Sequence, residues 1–212
     1  MAGMKLKDIA GEIQQDLDEK EAVREAALKS SRATIRLCAS AIQAIHKGEN
    51  PAKAMSEIKM NIGRLKEEIS MHPEMEHAGY VDAAYQEFAE ASIFCAIARG
   101  APIPGREELG ITSQSYLEGI GDAVGELRRL ALSAMMSGDV DDAEKTLATM
   151  DEIYGFLMGF DCPAALAGVK RKQDVARSLV EKTRGEVAVA ARMQSLEMRI
   201  GYIDKRSGKK KL

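Results

Sequence analysis

Four acidic side chains stand at helical spacing in two separate stretches of the chain. Glu87 and Glu90 are three residues apart, so they share one face if their stretch is helical. Asp122 and Glu126 are four residues apart and share a face in the same way. Carboxylates placed like this on two helices can converge on one divalent cation. Hard oxygen ligands without a nearby histidine favour Mg²⁺, with Mn²⁺ as a substitute, over Zn²⁺.

The chemistry of such a site is hydrolysis at phosphorus. A Mg²⁺ ion held between carboxylates lowers the pKa of a bound water and neutralises a phosphate oxygen. The alternative is that all four carboxylates are exposed to solvent, as charged residues on helices usually are. The spacing by itself leaves both interpretations open.

Three glycines lie among the second group of acids, at Gly119, Gly121 and Gly125, within an otherwise helical pattern. Each glycine costs roughly 1 kcal/mol against alanine in a helix interior. Close approach of another backbone is the physical reason that best accounts for them. The sequence therefore predicts that the two acidic helices cross closely and bring their four carboxylates together.

A basic stripe is the third feature with a chemical meaning. Lys29, Arg32 and Arg36 are spaced by three and four residues, so they project from one face of a helix. Cations arranged in this way bind phosphate backbones. The alternative is a solvated surface on which these cations pair with Glu21 and Glu25 one turn earlier.

The elements that must position these residues are helices. Of the 212 residues, 45% are hydrophobic but only 4% are aromatic, a composition that suits helix packing better than sheets. Apolar residues recur at intervals of three and four, and no alternating strand pattern occurs. The sequence predicts an all-α bundle of six to seven helices, several of them long. The predicted helices cover about 5–47, 51–69, 80–99, 113–136, 139–157 and 163–200.

We expect one helical domain over 1–204, followed by a basic and disordered tail over 205–212. The tail contains five cations and no acid, whereas the whole chain has a net charge of −3. The three cysteines are far apart, which indicates neither a zinc knuckle nor a disulfide framework. Without a signal peptide or a membrane-spanning run, we expect a cytoplasmic protein. No Walker, GxGxxG or GxSxG pattern occurs.

The acidic and basic segments resemble those of a known family, the translin superfamily. Within it they are most similar to the branch of translin-associated factor X (TRAX), in its archaeal or prokaryotic form. Gln86–Ala91 resembles the family's Gln-Glu-aromatic-x-Glu-Ala motif. Tyr116–Arg129 is similar to its Tyr-Leu-x-Gly-x-x-Asp-x-x-Gly-Glu-Leu segment. Lys29–Arg36 and Lys170–Arg177 resemble its basic first-helix segment and its last-helix motif.

The resemblance implies a seven-helix fold, a barrel-like shell of eight copies and Mg²⁺-dependent endoribonuclease activity on RNA inside the shell. It implies that Glu87, Glu90, Asp122 and Glu126 act as metal ligands and catalytic groups. We expect Glu90 and Glu126 to bind Mg²⁺ directly, while Glu87 and Asp122 complete the site or position water. RNA, or single-stranded DNA as in the translin branch, is the expected partner, and assembly is expected to be homo-oligomeric.

Two other functions stay open at this point. A binding-only protein needs the same basic stripe but no metal chemistry. An all-α nucleoside triphosphate pyrophosphohydrolase also carries Glu-x-x-Glu on one helix and acids on the next, and it hydrolyses free nucleotides instead of RNA.

Overall fold

A computed structural model of the chain describes residues 6–161 and 167–208, with side chains described up to residue 200 apart from that of residue 167. Within this part of the chain, all regular structure is helical, which confirms the all-α prediction. A single 3₁₀ turn at Pro73–Met75 accompanies the seven α-helices. Their bounds are α1 Leu6–His46, α2 Ala52–Ile69, α3 Gly79–Ala98, α4 Arg106–Leu109, α5 Ser113–Met136, α6 Val140–Met158 and α7 Ala167–Gly208.

The helix predicted over 51–69 begins one residue later, at Ala52, so Pro51 occupies the N-cap position. Asn50 Oδ1 accepts a hydrogen bond from the Ala52 amide at 3.0 Å. Asp139 caps α6 by accepting from the Asp142 amide. The short α4 was not predicted, because four residues between Gly105 and Gly110 are too few for a periodic pattern. The predicted start of the last helix at Pro163 lies outside the described residues.

The chain divides into two compact units, Met1–Gly119 and Ile120–Leu212. In the first unit, α1 packs against both α2 and α3. Its largest fully buried side chains include Ile58 and Leu65 on α2 and Tyr85 and Phe94 on α3. This packing fixes which faces of α1 and α3 meet, and those faces carry part of the candidate site.

In the second unit, α6 packs against α7. Ala134, Ala143 and Val187 form a small buried cluster between α5, α6 and α7. The Gln173 amide on α7 donates to the carbonyls of Leu157 at 2.7 Å and Phe160 at 3.0 Å. This side chain therefore satisfies two backbone groups at the end of α6 and ties that end to α7.

The unit boundary falls within α5, and the predicted single domain over 1–204 stays a prediction. The backbone of α7 continues to Gly208, whereas the last four residues of the predicted basic tail lie outside the described residues. None of the described helices is both long enough and apolar enough to cross a membrane.

Candidate metal and nucleic-acid site

The first acidic pair lies on α3, on the part of that helix that packs against α1. Glu90 is only 9% exposed, and Glu87, one turn earlier, is partly buried. Cys38 of α1 is fully buried beside them. Burial raises the pKa of the Cys38 thiol well above its usual range, and the negative charges of Glu87 and Glu90 raise it further. The two carboxylates and the thiol therefore share one low-dielectric region between α1 and α3.

Gly119, in the first part of α5, allows this helix to lie directly against α3 near Glu90. A Cβ atom at position 119 would stand 2.6 Å from Ala89 Cβ, 2.6 Å from the Gln86 carbonyl oxygen and 3.0 Å from the Glu90 amide nitrogen. No side chain fits at such distances, so only glycine allows this approach. The predicted close helix crossing is thus present at Gly119, where α5 meets the backbone of α3 at Gln86 and Glu90.

The second acidic pair lies on α5 in the second unit, and each member has a cationic partner there. Lys172 of α7, only 7% exposed, donates through Nζ to Asp122 Oδ1. A Cβ at Gly121 would stand 2.7 Å from Lys172 Cβ, so the glycine makes room for the stem of this lysine. Gly121 is therefore needed to make room for the Lys172 side chain. The sequence predicted a close backbone contact at this glycine, so that prediction is wrong for Gly121.

Glu126 is held by its own helix. Its Oε2 accepts from Arg129 one turn later at 2.9 Å, and the Glu126 side chain is 18% exposed. The neighbouring Arg128 joins α5 to α7 by donating to Thr183 Oγ1 at 2.6 Å and to Glu186 Oε1 at 3.0 Å. Hydrogen bonding to Arg128 is the main cause that lowers the pKa of Glu186. Gly125 contacts only Leu179, at 3.9 Å from an added Cβ, so no close approach explains that glycine.

The donor chemistry of both pairs suits a hard divalent cation, because every candidate ligand is a carboxylate oxygen. A metal that binds Asp122 must share that carboxylate with the Lys172 ammonium. Among the described residues, no group of three or more His, Cys, Asp or Glu side chains is arranged to hold a metal ion. The two pairs belong to different units, and the prediction that all four carboxylates meet around Mg²⁺ stays a prediction.

The basic stripe of Lys29, Arg32 and Arg36 is exposed along α1. These three residues line a shallow groove of about 440 Å³, together with Arg24, Glu25 and Leu28. Glu21, the first acid expected to neutralise the stripe, pairs with Arg24 at 2.7 Å instead. The groove is therefore rich in cations and accessible from solvent, as phosphate binding requires.

The stripe and the first acidic pair lie on opposite sides of α1. A helix advances by about 100° per residue, which places Cys38 roughly opposite Lys29, Arg32 and Arg36. Burial agrees, since Cys38 is fully covered while the three cations are exposed. The thickness of a helix, about 10 Å, thus separates the basic stripe from Glu87 and Glu90 within one chain.

Lys172 is the residue of this region that sequence reasoning missed. It was placed in a last-helix motif without a role, and no local signal links it to Asp122, fifty positions away. Along α7, a row of alternating charges forms pairs within the helix, Lys170–Asp174 at 3.7 Å and Arg177–Glu181 at 3.1 Å. Arg184 departs from the row, because it pairs with Asp151 of α6.

Comparison with known proteins bears directly on the fold and the motifs. Residues 97–186 match the Translin family. An uncharacterized protein of Methanocaldococcus jannaschii is 34% identical over 184 residues, which are 86% of this chain and 82% of that protein. The family match over 97–186 includes all of α5 and the first part of α7, and hence the Asp122, Glu126 and Lys172 positions.

Solved structures extend the likeness over most of the chain. AfC3PO in its complex with duplex RNA superposes with a TM-score of 0.76 at 31% identity, covering 86% of this chain and 96% of that one. The crystal structure of AfC3PO gives 0.75 at 34% identity with the same coverage. Apo-NeC3PO, at 22% identity and a TM-score of 0.70, shows the same fold over 89% of this chain and all of that one. This chain belongs to the translin family.

Proposed function

We propose that this protein is a Mg²⁺-dependent endoribonuclease of the TRAX-like kind, which cleaves single-stranded or short RNA inside a homo-oligomeric shell. The observation that carries the proposal is Glu90, a carboxylate only 9% exposed on a helix whose neighbouring positions are apolar and buried. Glu87 lies one turn earlier on the same helix face, so two hard oxygen donors stand together there, which suits a divalent cation such as Mg²⁺. Family membership supports the same interpretation.

The four carboxylates have separate roles in this proposal. Glu90 and Glu126 bind the metal directly, whereas Glu87 and Asp122 complete the site or position the attacking water. Lys172 restricts the orientation of Asp122 through its hydrogen bond. When bound, Mg²⁺ supplies a water of lowered pKa and neutralises charge on the scissile phosphate.

RNA is favoured over a free nucleotide by two observations. AfC3PO, 31% identical to this chain, is known in a complex with duplex RNA. The exposed cationic stripe of α1 extends over about two helical turns, from Lys29 to Arg36, which suits successive phosphates better than one nucleotide. We propose that Lys29, Arg32 and Arg36 contact the RNA backbone, and that single-stranded DNA binds the same groove.

Self-assembly completes the proposed function. A protein with a net charge of −3 needs its cations gathered on one surface in order to hold a polyanion. A closed homo-oligomer, most simply of eight copies, gathers the stripes on an inner wall and encloses the RNA in the cytoplasm. Closed symmetric assemblies are the common form of soluble oligomers.

Substitution of Glu126 by Gln tests the catalytic proposal. Because the change removes a metal-binding oxygen charge and keeps the shape, we expect the rate of Mg²⁺-dependent cleavage of labelled single-stranded RNA to fall by more than about 100-fold. RNA affinity in Ca²⁺ and the thermal unfolding midpoint should stay close to those of the unsubstituted protein.

The matched control is Glu118→Gln on the same helix, where Glu118 accepts a hydrogen bond from Gln114 at 2.9 Å. This variant should keep full activity. Full activity in Glu126→Gln contradicts the proposed site. Hydrolysis of nucleoside triphosphates with intact RNA favours the pyrophosphohydrolase, and binding without any cleavage favours the binding-only protein.

The same assay with short and long duplex RNA tests the preference for single-stranded or short substrates. We expect long duplex RNA to be cleaved poorly.

Replacement of the basic stripe tests the RNA surface. Each of Lys29→Ala, Arg32→Ala and Arg36→Ala should weaken RNA binding irrespective of sequence and lower the slope of log K against log salt by about one. Arg64→Ala, an exposed cation on α2, is the control and should change neither quantity. If the triple variant binds RNA with unchanged affinity, the stripe is an ordinary solvated surface and does not bind RNA.

A further inference from the structure

The ends of the two longest helices carry apolar stripes that face solvent. The first, the α1 apolar stripe, consists of Leu6, Ile9, Ile13 and Leu17, which are 36–84% exposed. The second, the α7 apolar stripe, consists of Val189, Met193, Leu196 and Ile200, which are 45–60% exposed. Scattered exposed apolar residues are ordinary, but a contiguous row along a helix marks an interaction surface.

The two stripes match each other in length and pattern. Each extends over twelve residues, or about 17 Å of helix. The α7 apolar stripe has spacings of four, three and four, and the α1 apolar stripe has three, four and four. These are the spacings that place side chains along the seam between two packed helices.

The charges beside the two stripes are opposite. Residues 6–19 of α1 contain five acids and one lysine. Residues 189–200 of α7 contain two cations and one acid, and the sequence that follows them contains five further cations and one acid. Two acidic α1 stripes repel each other, and so do two basic α7 stripes, whereas an α1 stripe and an α7 stripe attract.

We infer that the α1 apolar stripe of one copy packs against the α7 apolar stripe of a second copy of this chain. Both stripes are exposed in the isolated chain, so each requires an external partner. The contact joins different surfaces and therefore leaves one free stripe on each copy of a pair. Repetition of such a heterologous contact closes a ring or extends a filament.

The small size of the contact favours closure. Two helix faces of about 17 Å bury less than the roughly 800 Å² per partner of a standard interface, so one contact alone is weak. In a ring every copy makes the contact twice. The inference specifies a surface of the self-assembly included in the proposed function, and its test does not depend on RNA cleavage.

Cross-linking of two differently tagged chains, produced together, tests the pairing. One chain carries Ile13→Cys and the other Met193→Cys, and a short bismaleimide is added before denaturing electrophoresis. We expect a cross-linked species that contains both tags, and none when either variant is produced alone. The unsubstituted chain gives the background of the native cysteines, of which Cys38 and Cys95 are buried.

Other results overturn the inference. Cross-linking of Ile13→Cys alone shows that α1 meets α1, and cross-linking of Met193→Cys alone shows that α7 meets α7. A chain with both substitutions that links only within itself shows that the second copy is not the occupant. If the mixed Ile13→Cys and Met193→Cys chains form an assembly of unchanged mass but do not cross-link, other surfaces hold the assembly together.

Light scattering gives an independent measure. Ile13→Asp and Met193→Asp should each raise the concentration needed for half-assembly by at least tenfold, while circular dichroism stays unchanged. Met60→Asp, at a residue 63% exposed on α2, is the control and should leave assembly intact. Unchanged assembly in both stripe variants contradicts the contact. If the mixed cross-link forms but the unsubstituted protein does not cleave RNA, the contact is supported and the proposed function is contradicted.

Discussion

The two acidic pairs are positioned by different forces. In the first unit, Glu90 is fixed by packing: α3 is buried against α1, and Gly119 brings α5 into contact with the Glu90 amide. In the second unit, Asp122 and Glu126 are oriented by hydrogen bonds to Lys172 and Arg129. The backbone contact at Gly119 and the two cationic hydrogen bonds on α5 are therefore different kinds of constraint.

This difference has a consequence for how each pair responds to its surroundings. Steric contacts such as the one at Gly119 are insensitive to ionic strength. Exposed ion pairs weaken as salt shortens the Debye length from about 10 Å at 0.1 M to 3 Å at 1 M. Of the two pairs on α5, the Arg129–Glu126 pair should therefore weaken most, because Arg129 is 59% exposed.

The largest expected effect comes from breaking the steric contact. Gly119→Ala places a methyl group 2.6 Å from a backbone carbonyl and from Ala89 Cβ. Because backbone atoms cannot rotate away, we expect the free energy of unfolding to fall by about 3 kcal/mol, the upper part of the usual range for overpacking. Urea unfolding followed by circular dichroism measures the change.

Gly125→Ala is the matched control for that variant. It lies on the same helix, and the nearest atom to an added Cβ is 3.9 Å away. Helix propensity then dominates, and stability should rise by about 0.5–1 kcal/mol. Equal destabilisation by both substitutions argues against a specific contact at Gly119.

The helices were predictable because each carries its own local signals. The Asp139 cap, the Asn50-Pro51 pair before α2, and the glycines with positive φ at Gly48, Gly100 and Gly138 mark ends that can be identified without tertiary information. The spacing rule also placed Glu87 and Glu90 on one face, as the structure confirms. Local periodicity is sufficient for such elements because the helix repeat is fixed.

The partners of the site residues were not predictable, since they depend on which distant residues meet. Nothing near Asp122 indicates Lys172, and nothing near Cys38 indicates the two glutamates of α3. The three glycines of α5 look alike in sequence but differ in the structure. An added Cβ would clash with backbone at Gly119 and with a lysine stem at Gly121, but would make only an ordinary contact with a leucine at Gly125. The pattern fixes the face of a helix, whereas packing alone decides what lies against it.

The second effect concerns the charge-held pair. Lys172→Met keeps most of the buried stem but removes the ammonium that donates to Asp122, whose side chain is 26% exposed. Leaving a half-buried carboxylate without this donor should lower the free energy of unfolding by about 2 kcal/mol. Arg129→Met is the comparison, because Arg129 is 59% exposed and its pair with Glu126 contributes about 0.5 kcal/mol or less.

Salt sharpens this second comparison. Raising ionic strength to about 1 M should reduce the contribution of the exposed Arg129 pair much more than that of the buried Lys172 pair. Double-mutant cycles with Asp122→Asn and Glu126→Gln, measured by urea unfolding at both salt concentrations, give the two coupling energies. Coupling energies of equal size and equal salt dependence contradict the difference in burial as their cause.

The third expected effect is a pH dependence confined to the packed region of the first unit. Burial, and then the charges of Glu87 and Glu90, raise the pKa of Cys38 in the folded chain. The unfolded thiol has a pKa of about 8.5. The folded state therefore retains a proton that the unfolded state loses, so this contribution to stability is complete below about pH 8.5 and declines as pH rises above it. Between pH 8.5 and 9.5 the resulting loss amounts to about 1 kcal/mol. Cys38→Ala removes the titrating group, so the free energy of unfolding of this variant should fall less steeply over the same pH interval. Urea unfolding at each pH measures both slopes. Identical slopes in the two proteins would contradict the burial of Cys38.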